Sequence, residues 1–63
     1  MNEWMMSADK WLADAYAAEA RGDYGAAKNA ARRAQSCSVK GGGDADLYMA
    51  AGSVILRADS RRG

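Results

Sequence analysis

Apolar residues recur at helical spacing along almost the whole chain, in three runs separated by two glycine-containing breaks. Between Glu3 and Arg21 there is no Gly or Pro, and strong helix formers dominate. With each residue turned about 100° from the last, Trp4, Ala8, Trp11, Ala15 and Ala18 share one arc, widened by Met5, Leu12 and Tyr16. The pattern predicts a first helix over 3–21 with that arc as its core face and Trp11 as its most central residue. Ser7, Lys10, Asp14 and Arg21 form a narrow polar edge opposite. Met6, Ala13, Ala17 and Ala20 make a second, weakly apolar strip, which alanine's helix propensity explains as well as a contact surface does.

The first break is Gly22-Asp23-Tyr24. Gly22 suits a left-handed helix C-cap, and Asp23 can accept a hydrogen bond from an orphan N–H of the next helix, so the turn is expected to be tight. A second helix follows over 23–37, with Ala27, Ala30, Ala31 and Ala34 in line with Tyr24, and Lys28, Arg32, Arg33 and Gln35 on the other side. Such small side chains let two helix axes approach closely. Residues 38–43, Ser38-Val39-Lys40-Gly41-Gly42-Gly43, lack apolar periodicity and are expected to form a flexible, glycine-rich connector. A phosphate-cradling loop would need the Gly-x4-Gly-Lys-Ser/Thr order, whereas here Lys40 precedes the glycines. Asp44 or Asp46 then caps a third helix over 44–60, with Leu47, Ala51, Val54, Ile55 and Ala58 on its core face and Met49 and Leu56 turned away.

Length sharpens this reading. A single domain of 63 residues buries only about 60% of the surface its unfolded chain exposes. The chain has fifteen Ala, no Phe and few aliphatics, so each helix contributes little apolar area against the entropy of ordering it. Trp4, Met5, Met6, Met49 and Leu56 exceed what one small core needs, and flexible Met and aromatic side chains supply adaptable contact area. These five are the expected protein interface. Homo-oligomerisation, most simply as a two-fold dimer, is the expected way of covering them.

The helical hairpin also resembles one tetratricopeptide repeat, a helix-turn-helix unit of about 34 residues. Trp11 takes the Trp position, Ala15 the small position, Gly22-Asp23-Tyr24 the turn, and Ala27 and Ala34 the alanines of the second helix. Asp14, Ala18, Ala31 and Val39 depart from the family's Leu, Tyr, large aromatic and Pro. Leu47-x2-Ala50-Ala51-x2-Val54 repeats the spacing of Trp11-x2-Asp14-Ala15-x2-Ala18, so the third helix is similar to the opening of a next repeat. The resemblance implies an all-α three-helix bundle built on an antiparallel hairpin, and a role in protein binding without catalysis. A generic helical hairpin accounts for the same residues nearly as well.

Chemistry subtracts more than it adds. Catalysis needs a convergent acid, base or nucleophile, but His is absent, Cys37 has no obvious His or Asn partner, and the carboxylates are scattered. No catalytic, cofactor or metal site is expected: one Cys and no His cannot make a structural metal centre, and Asp9, Asp14, Asp23, Asp44 and Asp46 lack calcium-loop spacing. Cys37 is expected to be a half-buried small residue near the end of the second helix, with an inter-chain disulfide or a redox-sensitive thiol as alternatives. A net charge of +1 gives no global pull towards nucleic acid or an anionic membrane. Two local basic groups, Lys28, Arg32 and Arg33 and then Arg57, Arg61 and Arg62, nonetheless make a small nucleic-acid-binding regulator the alternative, although cations also suit helix C-termini. Met1-Asn2-Glu3-Trp4 does not open a signal peptide, and no apolar run approaches ~20 residues, so a cytoplasmic, non-membrane protein is expected. Richness in Ala, Gly, Arg and Asp suits a GC-rich bacterial genome or a virus of such a host.

Overall fold

The computed structural model describes residues 3–62 and consists of three helices: α1 (Glu3–Ala20), α2 (Tyr24–Lys40) and α3 (Ala45–Arg62). The expected all-α bundle is what the chain forms, with no strand among the described residues. The middle helix packs along both neighbours, while α1 and α3 run in the same direction and meet over a shorter stretch. The result is a short rod of 37 × 17 × 13 Å, in which α2 is the shared wall.

Both turns use the same device. At the end of α1 the Asp23 N–H donates to Ala18 O (2.9 Å) and the Gly22 N–H to Glu19 O (3.0 Å), with Gly22 at φ +80°. This is a Schellman closure, which satisfies carbonyls the helix leaves open and needs a residue that tolerates the left-handed region. Asp23 then caps α2, its Oδ1 accepting from the Ala26 N–H at 3.2 Å. The end of α2 repeats the sequence of events: Gly43 N–H to Ser38 O (2.8 Å), Gly42 N–H to Val39 O (3.3 Å), then Asp44 Oδ1 accepting from the Leu47 N–H at 3.2 Å. Asp44 is therefore the cap of α3, and Asp46 is left on the surface of its first turn.

The glycine-rich connector is shorter than its sequence suggests. Residues 38–40 are the last turn of α2, so the break covers only Gly41–Asp44. The physical reason is Ser38, which continues the alanine stripe one turn beyond Ala34 and is completely buried. Its hydroxyl donates to Asp44 O (3.2 Å) and accepts from the Asp44 N–H (3.0 Å), which fastens the start of α3 to the end of α2. Gly41 is needed for a different reason, close approach: a Cβ there would lie 2.9 Å from Met5 Sδ and 3.1 Å from Trp4 Cβ.

The core is narrow. Ala8, Ala15 and Ala18 of α1, Ala27, Ala30, Ala31 and Ala34 of α2, and Leu47, Ala51, Val54 and Ala58 of α3 are buried, and Val54 and Ser38 are the largest side chains wholly enclosed. Trp11 is not at its centre. Packed against the core but only half buried, its ring lies along the edge of the α1–α2 seam, with the Arg33 guanidinium 5.2 Å from its centroid. Two helices that meet on alanine leave no room between them for an indole, so the ring covers the seam from outside. Trp4 and Tyr16, placed on the same apolar arc, are likewise displaced to the rim, at 48% and 45% exposure.

Ser38→Ala removes both bonds to Asp44 and should destabilise the fold by about 1–3 kcal/mol, read by chemical denaturation. Trp11→Ala is expected to cost about 2 kcal/mol, less than the ~3–5 kcal/mol of a fully enclosed Trp, because part of its surface already meets solvent. A loss in the fully enclosed range would show that the ring, and not the alanine seam, carries the hairpin.

Candidate interaction surface

The most exposed large hydrophobic residues are Leu56 (71%) and Met49 (69%), both on α3. They stand one heptad apart, opposite the core positions Leu47, Ala51, Val54 and Ala58, so their burial in the lone chain is ruled out by helix geometry. Ala45, Ser53 and Ser60 complete that side, with Gly52 half buried at its α2 edge against Gln35, and its midline carries no charged residue. Ser53 is less polar than its name suggests, since its hydroxyl donates to Met49 O at 3.1 Å. Next to Met49, a shallow depression between the end of α2 and the start of α3 is lined by Ser38, Gly43, Asp44, Ala45, Tyr48 and Met49.

Ion pairs mark the two edges of this face. Towards α1, Arg57 donates through Nε and Nη2 to the two carboxylate oxygens of Glu19, at 2.9 and 3.0 Å. Towards α2, Asp59 accepts from Lys28 at 2.6 Å, and Gln35 Nε2 donates to Tyr48 O at 3.2 Å. The Arg57 hydrogen bond, assisted by the positive charge of Arg57 and Arg61 and opposed by partial desolvation, holds the Glu19 carboxyl below its ordinary value. The same hydrogen bond raises Arg57.

The other expected interface residues lie in the first turn of α1, next to the α2–α3 turn. Trp4 is half exposed with the Lys40 ammonium 4.9 Å from its ring centroid, and Met6 is 57% exposed. Met5 is drawn partly inward, packed against the core and beside Gly41. The five residues thus divide: Met49 and Leu56 share one helix face, Trp4 and Met6 stand on another helix, and Met5 is half enclosed. Tyr48 (46%) and Val39 (63%) are exposed apolar residues that the sequence reading missed. Tyr48 adjoins Met49 and was legible as part of the same run, whereas Val39 was hidden by its assignment to the connector.

Of the basic residues, Arg57 and Arg61 lie together beside Glu19, and others already face a partner of the same chain. Lys28 is paired with Asp59, Arg57 with Glu19, and Arg33 lies over Trp11. Arg32 and Arg61 are exposed, and the Arg62 side chain lies outside the described residues. Cys37 is half buried against the core with a free thiol. Among the described residues no group of three or more His, Cys, Asp or Glu is placed to hold a metal ion, and no helix is long and apolar enough to cross a membrane. Compared with known protein families, characterised proteins and solved structures, the chain matches none.

The Glu19 shift carries a sign for stability. A carboxyl whose folded value is depressed contributes stability that is fully present above its ordinary value of 4.5 and is lost as pH falls through the lower, folded value. Denaturation midpoints measured from neutral pH downward should therefore fall more steeply below 4.5 in the wild type than in Glu19→Gln. Equal slopes would mean that the pair with Arg57 does not persist in solution.

Proposed function

We propose that this chain is a small, noncatalytic protein–protein interaction module that acts as an adaptor or regulator and associates with itself through the outward face of α3. The observation that carries this reading is Met49 and Leu56: two large apolar side chains, each about 70% exposed, one heptad apart on an uncharged helix face. An apolar helix face is the usual means by which helical modules hold a partner, with anchors at i, i+3, i+4 and i+7. The small core adds pressure in the same direction, because a chain whose enclosed side chains are nearly all alanine has little apolar burial of its own to stabilise it. The tetratricopeptide-like spacing supports a binding role as well: Ala15 and Ala51, and Ala18 and Val54, are buried at equivalent positions of α1 and α3. Trp4 and Met6 offer a second, smaller contact area on the first turn of α1, beside the turn that leads into α3.

Nucleic-acid binding through Lys28, Arg32, Arg33, Arg57, Arg61 and Arg62 is the weaker reading, since three of these cations already face a carboxylate or an indole of the same chain. Phosphate binding would have to compete with those partners.

Sedimentation of the wild type over a broad concentration range, beside Met49→Glu and Leu56→Glu, tests the proposal. The wild type should shift to a larger species as concentration rises, and both variants should stay monomeric with unchanged helical circular dichroism, because neither side chain touches the core. A monomeric wild type that retards duplex DNA or RNA at low salt would transfer the function to the basic residues.

A further inference from the structure

The midline of α3 is close to a palindrome in character. Reading outward from the Gly52-Ser53 centre, the small pair is flanked by a large apolar residue on each side, Met49 and Leu56, and then by a small residue on each side, Ala45 and Ser60. A helix face with this order is complementary to itself when a second copy is laid on it in the opposite direction. Met49 of one copy then meets Leu56 of the other, twice, across a centre of small residues where the helices can come close.

The charges at the edge of the face select the same arrangement. Asp46 and Arg57 are eleven residues, about three turns, apart, so they lie on the same edge, the one that Glu19 of α1 approaches. In an antiparallel two-fold pair each edge meets its own copy. With the axis between Gly52 and Ser53, Asp46 of one chain stands within about 3 Å, along the helix axis, of Arg57 in the other, well inside the reach of an arginine. Both are exposed, and Glu19 occupies only two of the five N–H donors that a guanidinium carries. On the other edge Tyr48 comes level with Asp59 of the second chain. A parallel pair would set Asp46 opposite the uncharged Tyr48 edge and bring the helix dipoles side by side in the unfavourable sense.

We infer that the partner of this face is a second copy of the chain, docked α3 against α3 in antiparallel two-fold register, with Met49 packed on Leu56 and Asp46 paired with Arg57 across the axis on both sides. This rests on the self-association reading above and adds the register and the residues that set it. One helix face is small against the roughly 800 Å² per partner of a standard interface, so the dimer is weak and concentration-dependent.

Two charge variants test the register. Asp46→Lys places like charges against Arg57 in its own homodimer. Glu19→Lys/Arg57→Glu keeps the pair within the chain, reversed in sign, and places like charges against Asp46. Each variant alone should dimerise about tenfold more weakly than the wild type, since two attractive surface pairs become repulsive. Mixed in equal amounts they should recover wild-type affinity, because both cross pairs are then attractive, and native mass spectrometry should find heterodimers in excess over either homodimer. Circular dichroism of each variant checks that the fold is kept. If the wild type dimerises, and Leu56→Glu abolishes this, but the mixture shows no excess of heterodimer, the register is wrong while the face stands. A wild type that stays monomeric at millimolar concentration overturns both.

Discussion

Everything in this fold follows from helices that meet on alanine. Ala8, Ala15, Ala27, Ala31, Ala34, Ala51 and Ala58 are all fully enclosed, and each brings little more than a methyl group to the core. Close axes give good backbone-to-backbone dispersion and a dense seam, but little apolar area is removed from water per residue. Two consequences run through the molecule. Aromatic side chains on α1 cannot enter the α1–α2 seam, so they collect at its rim, and the turns must be short and exact in register to hold helices whose own burial is weak.

The rim is organised as well as crowded. On the α1–α2 seam, Trp4 lies under Lys40 and, seven residues further along α1 and seven back along α2, Trp11 lies under Arg33. Two cation–π contacts thus repeat at heptad spacing along an antiparallel pair, covering the alanine seam with indole and the indole with charge. The α2–α3 seam carries a polar counterpart, in which Lys28 meets Asp59 and, a heptad away, Gln35 reaches the Tyr48 carbonyl beside Gly52. These contacts are individually modest because they are exposed to water, but they fix the register of smooth alanine surfaces that have few large ridges of their own.

The same arrangement leaves α3 with the most to gain from a partner. Its core side is closed by α2 and α1, its edges are tied by Glu19–Arg57 and Lys28–Asp59, and between those edges the midline is apolar or small. A charged helix flank with an apolar centre is the layout that the proposed self-association would use, with anchors in the middle and a polar rim. The intrachain ion pairs also give Lys28 and Arg57 carboxylate partners of their own, with which any phosphate would have to compete.

Local chemistry in the sequence was enough to determine the helices and most of their buried positions. Periodicity identified the alanine face of α2 and the split of α3 into a core side and the outward Met49 and Leu56, because 3.6-residue spacing is a property of the chain alone. The caps at Gly22 and Asp23 were legible for the same reason, and Asp44 as one of two candidates with Asp46: each serves backbone groups within a few residues. What only the tertiary structure decided depends on how far apart the helices stand. Trp11 reads as the centre of a helix face, yet the closeness that alanine permits on α2 pushes it to the edge. Ser38 reads as the start of a loop, yet burial against the beginning of α3 makes it the last enclosed turn of α2. The cations read as two clusters, yet packing hands Lys28, Arg33 and Arg57 to partners up to thirty-eight residues away in sequence, and no local pattern carries that information.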